Sequence, residues 1–229
     1  MKIRLQILFV CIFLLIEFCP SLYAQALLST DSENIINGKL WVPNYSIAQG
    51  EQLFLSQLEL NGDLRFKGKD FKNQKFFYDI TKDEIIIAIP TEDNTSRNIV
   101  LNPYFLEGFT VLEREQNYHF MRGNFIHDEL QQNAYYQIFN SESLRYVVKH
   151  SKARMLNSKN ASKTFKYVDN SRMYIIKKQQ LSKIKKTKDI LNFFPQQKKE
   201  IRRFIRTHKL KINKHTPLDA LPILTKFDL

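Results

Sequence analysis

The sequence predicts a mainly β, α+β protein: an antiparallel meander forming a curved sheet or open barrel over residues 25–180, with C-terminal amphipathic helices of 181–229 packed on it. Three observations predict it. Short apolar or alternating runs separated by turn residues recur as far as Ile176, the pattern of hairpin-linked strands. Beyond Lys177 the apolar period lengthens to that of a helix. Charge divides at much the same place, with 11 Lys or Arg against 17 Asp or Glu over 25–148 and 22 against 5 over 149–229. A hydrophobic fraction of 43% beside 25% charged residues is enough to bury a core, so disorder throughout is excluded.

Residues 1–24 read as a signal peptide. Lys2 and Arg4 precede an apolar run from Leu5 to Ile16 broken only by Gln6, and Pro20, Ser21 and Ala24 supply its polar, small-residue end. Cleavage fits after Ala24, or after Ala26, where Ala24 and Ala26 make an A-x-A pattern. Nothing later approaches ~18 consecutive apolar residues, so no transmembrane span is expected in the mature chain. Cys11 and Cys19 both lie in the leading segment, which predicts a cysteine-free mature chain without disulfides or thiol chemistry. The expected location is the periplasm, the cell envelope or the medium.

In the β part, Leu53 to Leu60 and Leu64 to Phe66 flank Asn61 and Gly62, a pair suited to the positive φ of a tight hairpin turn. Gly68 and Asp70 turn the chain into Phe76 to Ile80. The unbroken run Ile85, Ile86, Ile87, Ala88, Ile89 predicts a strand covered on both faces, ended by Pro90. Further strands are expected at 99–101, 109–112, 118–121, 135–139, 144–148, 165–168 and 173–176. Asn140 to Ser143 and Asp169 to Ser171 are read as hairpin turns. Of the adjacent Tyr135 and Tyr136, one should point outward from its strand. Trp41 to Tyr45 is expected at an edge or over one end of the sheet.

Past Lys177, Gln196 to His208 fits a helix. Phe194, Ile201, Phe204, Ile205 and His208 fall within an arc of about 100° beside a basic face. Docking of that apolar stripe on the sheet is favoured over burial in a membrane interface. Pro195 suits the first turn, and Thr187 or Asp189 would cap a shorter helix before it. A second short helix is expected from Thr216, with Pro217 at its first position and Pro222 interrupting it.

Segment 183–214 holds 12 Lys or Arg against Asp189 and Glu200, so any partner it has should be anionic: an envelope lipid, a glycan or an acidic protein. The candidate contacts are Lys198, Lys199, Arg202, Arg203 and Arg206. The bland alternative is a solvated helix face. No zinc-finger spacing or RNP-type aromatic box occurs, so specific nucleic-acid recognition is not expected. Of the histidines, His119 with His127, Asp128 and Glu129 fits no metal-ligand spacing, and His150, His208 and His215 read as surface residues. Acid pairs such as Asp83 with Glu84 read as solvated turns. No nucleophile elbow, P-loop or dinucleotide fingerprint is present, so neither catalytic residues nor a cofactor are assigned.

Two stretches carry a resemblance. Gly62-Asp63-Leu64-Arg65-Phe66-Lys67-Gly68, followed by Phe77-Tyr78-Asp79-Ile80 and Asp83-Glu84-Ile85, is similar to a group of uncharacterised exported proteins of Bacteroidetes-type bacteria. So is Ile190-Leu191, Phe194-Pro195, Lys198-Lys199-Glu200-Ile201 and Phe204-Ile205. The resemblance implies export, a β-rich domain and the C-terminal helix, and transfers no catalytic residue. The resulting expectation is a non-enzymatic envelope module for binding or structure. Its alternatives are a peripheral binder of anionic glycan or lipid, and a polymer hydrolase.

Overall fold

The computed structural model describes residues 39–42, 48–56, 59–91, 93, 95–114, 116–157 and 164–228. The expected signal segment lies outside them. The expected cysteine-free character is corrected: the chain contains two cysteines, Cys11 and Cys19, and their absence rested wholly on removal of residues 1–24, which no structural observation supports.

Among the described residues thirteen strands are present: β1 (Ala48–Gln49), β2 (Leu60–Phe66), β3 (Lys69–Asp79), β4 (Glu84–Pro90), β5 (Ser96–Val100), β6 (Leu106–Leu112), β7 (Asn117–Arg122), β8 (Tyr135–Asn140), β9 (Arg145–Lys149), β10 (Lys152–Asn157), β11 (Thr164–Asp169), β12 (Arg172–Lys177) and β13 (Gln180–Ile184). Three helices follow: α1 (Thr187–Leu191), α2 (Lys198–Thr207) and α3 (Leu221–Phe227), the last continuing a 3-10 turn at Pro217–Ala220. Ten strands form one antiparallel sheet in the order β13-β12-β9-β8-β7-β6-β2-β3-β4-β5, and β1, β11 and β10 form a second, small sheet.

This order corrects the expected curved sheet or open barrel. The main sheet is open, with β13 and β5 at its two ends, and it does not close. The expected meander is also interrupted twice. β6 pairs with β2 instead of β5, and β12 pairs with β9 instead of β11, so β10 and β11 split away into the second sheet. The expected hairpin turning at Asp169 to Ser171 is thereby replaced by a change of sheet.

The Asn61-Gly62 turn is also corrected. Both residues lie within β2, and the chain turns instead at Lys67 and Gly68, which have φ of 50° and 73°. Gly62 is needed for close approach, because a Cβ there would sit 1.8 Å from Thr110 O of β6. The expected strand through Leu53 is a 3-10 turn at Phe54–Ser56, with Leu55 and Ser56 at positive φ.

Side chains of the two arms of the sheet meet in one layer of rings. Tyr78 of β3 lies 5.2 Å from Phe109 of β6, 5.5 Å from Phe120 of β7 and 6.4 Å from Tyr135 of β8, centroid to centroid. Edge-to-face contacts dominate, the arrangement that ring quadrupoles favour. Leu60, Leu64, Ile85, Leu106 and Val111 complete this core. On the other face of β3 and β4, Phe77 and Ile86 pack with Trp41 and Leu53, so Ile85–Ile87 is covered on both faces. Trp41 Nε1–H donates to Asp79 Oδ2 at 3.2 Å. Tyr135 and Tyr136 are both buried, against the expectation for one of them: the turn carrying Leu130 and Ala134 covers the second face of β8.

The helices cover β9, β12 and β13. Tyr146, Val148, Met173, Ile175 and Ile184 pack against Ile190, Ile201, Ile223 and Phe227. Tyr146 Oη donates to Pro217 O at 2.7 Å, tying the last helical segment to the sheet. Pro222 sits in the first turn of α3, where its missing N–H has no helical acceptor to lose, so it begins a helix and does not interrupt one.

Candidate anion-binding face

The entry to the helical layer is set by Asp189, whose carboxylate accepts the N–H groups of Lys185 at 2.8 Å and Lys186 at 3.1 Å. α1 buries Ile190 and Leu191, and Phe194 follows into the same core. α2 then presents Ile201 inward, while Phe204 meets Phe227 of α3 edge-on at 5.7 Å. The helix stops after Thr207, and Lys209, with φ of 53°, turns the chain as Leu210 N–H reaches back to Ile205 O at 3.1 Å. The apolar stripe is thus consumed by packing.

All five cations singled out from the sequence lie on the opposite side. Lys198, Lys199, Arg202, Arg203 and Arg206 are exposed, and among the described residues none forms an ion pair. Arg206 Nε approaches Arg202 O at 3.4 Å, a contact within the helix itself. Ten residues of helix span about 15 Å, so neighbouring charges lie within a Debye length of ~8–10 Å and their fields add. Part of the arrangement costs helix stability, although Glu200 in the first turn and Arg206 in the last favour the macrodipole. Lys198 and Lys199 occupy the first turn, where the macrodipole opposes cations by about 0.3–1 kcal/mol each. Lys198–Arg202, Lys199–Arg203 and Arg202–Arg206 are like-charge i,i+4 pairs, each unfavourable by about 0.2–0.5 kcal/mol.

A buried polar cluster that sequence reading misses joins the two arms. Asp83, expected to be solvated, accepts Tyr78 Oη–H at 2.6 Å, Lys149 Nζ at 2.5 Å and Tyr135 N–H at 3.3 Å. Lys149 is 6% exposed. Glu84, which follows Asp83, is largely buried and pairs with Lys39. Burial, reinforced by the adjacent Asp83 charge, raises the Tyr78 and Tyr135 hydroxyls above their ordinary range, and burial pushes Tyr136 up to about 12. Both oxygens of Asp83 accept hydrogen bonds from the fold, from β3, β8 and β9, which makes the cluster a structural clamp.

His150, read from sequence as a surface residue, packs against Phe54 and Phe120 with a ring nitrogen 2.7 Å from Gln137 Oε1. Burial, helped by the Lys149 charge, lowers it to about 4. The neutral form is therefore the folded form. Its contribution to stability is complete above the unfolded pKa of about 6.5 and is lost as pH falls from there through about 4, reaching roughly 3 kcal/mol. Urea denaturation of wild type and His150→Gln between pH 7 and pH 4 should show the variant losing less stability than wild type by that amount.

His119 bonds Thr110 Oγ1 at 3.1 Å and His127 bonds Gln179 O at 2.9 Å, so the two do not converge. Among the described residues no group of three or more His, Cys, Asp or Glu is placed to hold a metal, and no helix is long and apolar enough to cross a membrane. Comparison with family models, curated proteins and solved structures finds no match to this chain.

Proposed function

We propose that the protein is a non-enzymatic binding module that engages an anionic lipid or glycan surface through the outer face of α2. One observation carries this reading: five exposed cations, without ion-pair partners among the described residues, stand on a helix whose apolar side is taken up by packing, two of them in its first turn and all of them in like-charge i,i+4 pairs. A face arranged only for solubility has no need of cations in the first turn. An anionic partner relieves the repulsion that the isolated protein carries.

Changing Lys198, Lys199, Arg202, Arg203 and Arg206 together to Gln separates binding from folding. Retention on heparin and on phosphatidylglycerol vesicles should weaken steeply between low and moderate salt for wild type and be lost in the variant. Its stability should rise by about 1 kcal/mol, read by thermal denaturation, because the like-charge pairs are gone. Retention indifferent to salt, or surviving the five substitutions, would sink the reading.

A further inference from the structure

A second cationic feature lies where the start of β12, the end of β13 and the 213–214 segment meet. A surface cavity of about 350 Å³ is lined there by Arg172, Lys183, Lys185 and Lys214, with Asn170 and Ser171 between them. Each of the four cations is exposed, and no carboxylate lines the cavity among the described residues.

The cavity's walls are joined by backbone. Ser171 N–H donates to Lys214 O at 3.2 Å, and Lys214 Nζ reaches Asn170 Oδ1 at 3.4 Å across 44 residues of chain. Asn170 is held in turn by Ser151, whose Oγ donates to Asn170 O at 2.7 Å and whose carbonyl accepts Asn170 N–H at 2.8 Å. Asp169, next to Asn170, is exposed and does not line the cavity, and two other nearby carboxylates are committed to backbone donors. Asp189 accepts Lys185 and Lys186 N–H, and Asp219 accepts Lys211 N–H at 2.6 Å. Among the described residues none of the four cations forms an ion pair.

Other cavities contrast with this one. The groove over β2, β3, β6 and β7, about 480 Å³, contains Arg65 and Lys72. Those pair with Glu107 at 3.0 Å and Asp63 at 2.9 Å. The cavity beside Asp83 and Glu84, about 320 Å³, has its carboxylates paired with Lys149 and Lys39. Both neutralise themselves.

We propose that the Arg172–Lys183–Lys185–Lys214 cavity is a phosphate-binding site. It deepens the reading of the C-terminal layer as anion-binding, on which it rests, by naming a discrete site and its ligand chemistry. Four cations from three segments, with a hydroxyl between them, match a tetrahedral, multiply charged group that accepts hydrogen bonds on every side. A single carboxylate offers two oxygens and one charge. Arg172 supplies the planar fork that phosphate takes in a bidentate manner, and the lysines act as point charges around it.

The test uses the full chain and two probes, inorganic pyrophosphate and phosphatidylcholine vesicles containing phosphatidic acid. Pyrophosphate should shift the backbone amides of 170–172, 183–185 and 213–214, a result that needs no variant. Arg172→Gln with Lys214→Gln should weaken its Kd at least about tenfold, whereas the five-Gln variant of α2 should change it less than about threefold. Vesicle binding that is lost together with pyrophosphate binding in the double variant identifies a lipid headgroup as the source. Vesicle binding that persists identifies a free phosphorylated molecule. Both results support the site. Amide shifts confined to α2, an unchanged Kd in the double variant, or no pyrophosphate binding by wild type overturns it. Heparin retention that survives the five-Gln change would instead overturn the α2 reading and leave the cavity standing.

Discussion

Gly62→Ala should destabilise the protein by at least about 3 kcal/mol, among the larger effects a single methyl group produces. The added Cβ would lie 1.8 Å from Thr110 O and 2.9 Å from Thr110 C, both backbone atoms of the neighbouring strand, so no side-chain rotation relieves the overlap. β2 and β6 must separate, and their pairing is the seam between the two arms of the sheet. Gly68→Ala is the control. Gly68 has φ of 73°, and a Cβ added there would have nothing within 4 Å, so alanine meets only the left-handed backbone penalty of about 1–2 kcal/mol. Urea midpoints of the two variants check the argument, and equal losses would show that steric approach at Gly62 is not what holds the seam.

Lys149→Met should cost about 3–5 kcal/mol, the range for removing one partner of a buried ion pair. The loss comes less from the attraction itself than from the Asp83 carboxylate left with only Tyr78 and the Tyr135 amide as donors. Asp83→Asn is the natural second arm of a double-mutant cycle, since asparagine tolerates the φ of 63° found there. The double variant should be less destabilised than the sum of the singles by about 0.5–3 kcal/mol. Additive losses would mean that the two groups do not share one interaction. Because the Lys149 charge also depresses His150, Lys149→Met should raise the His150 titration, which imidazole NMR signals report.

What was legible from sequence follows physical range. Most strands between Phe76 and Ile176, and the helix expected over 196–208 and found at Lys198–Thr207, depend on side-chain periods within a dozen residues and fall close to where the pattern places them. Lys198, Lys199, Arg202, Arg203 and Arg206 share one face for the same reason. The strand expected through Leu53 does not form, and the pattern announces neither β10 nor β13, the latter lying past Lys177 where a helical period is expected. Strand order is different, because nothing local to Leu106–Leu112 says that it pairs with β2. Asn61-Gly62 misleads because one glycine serves two purposes: it admits positive φ at a turn, and it lets backbones approach inside a sheet. Asp83 and Lys149 are 66 residues apart, and their pairing exists only once the arms meet. Arg172, Lys183, Lys185 and Lys214 converge from three segments, so their shared cavity has no sequence period to announce it.

The β2–β6 pairing also orders events in time. β2 to β5 close as successive hairpins, and so do β6 to β9, each on the microsecond scale of a local turn. Joining the arms must wait until the whole of β3–β5 is looped out, which is a slower search with a larger entropic barrier. Phe109, Phe120 and Tyr135 pack on one another within the second arm, but Tyr78 of the first arm covers them only once the seam forms. Until then the apolar faces on either side of the seam stay uncovered, and the step that closes it removes that surface from aggregation.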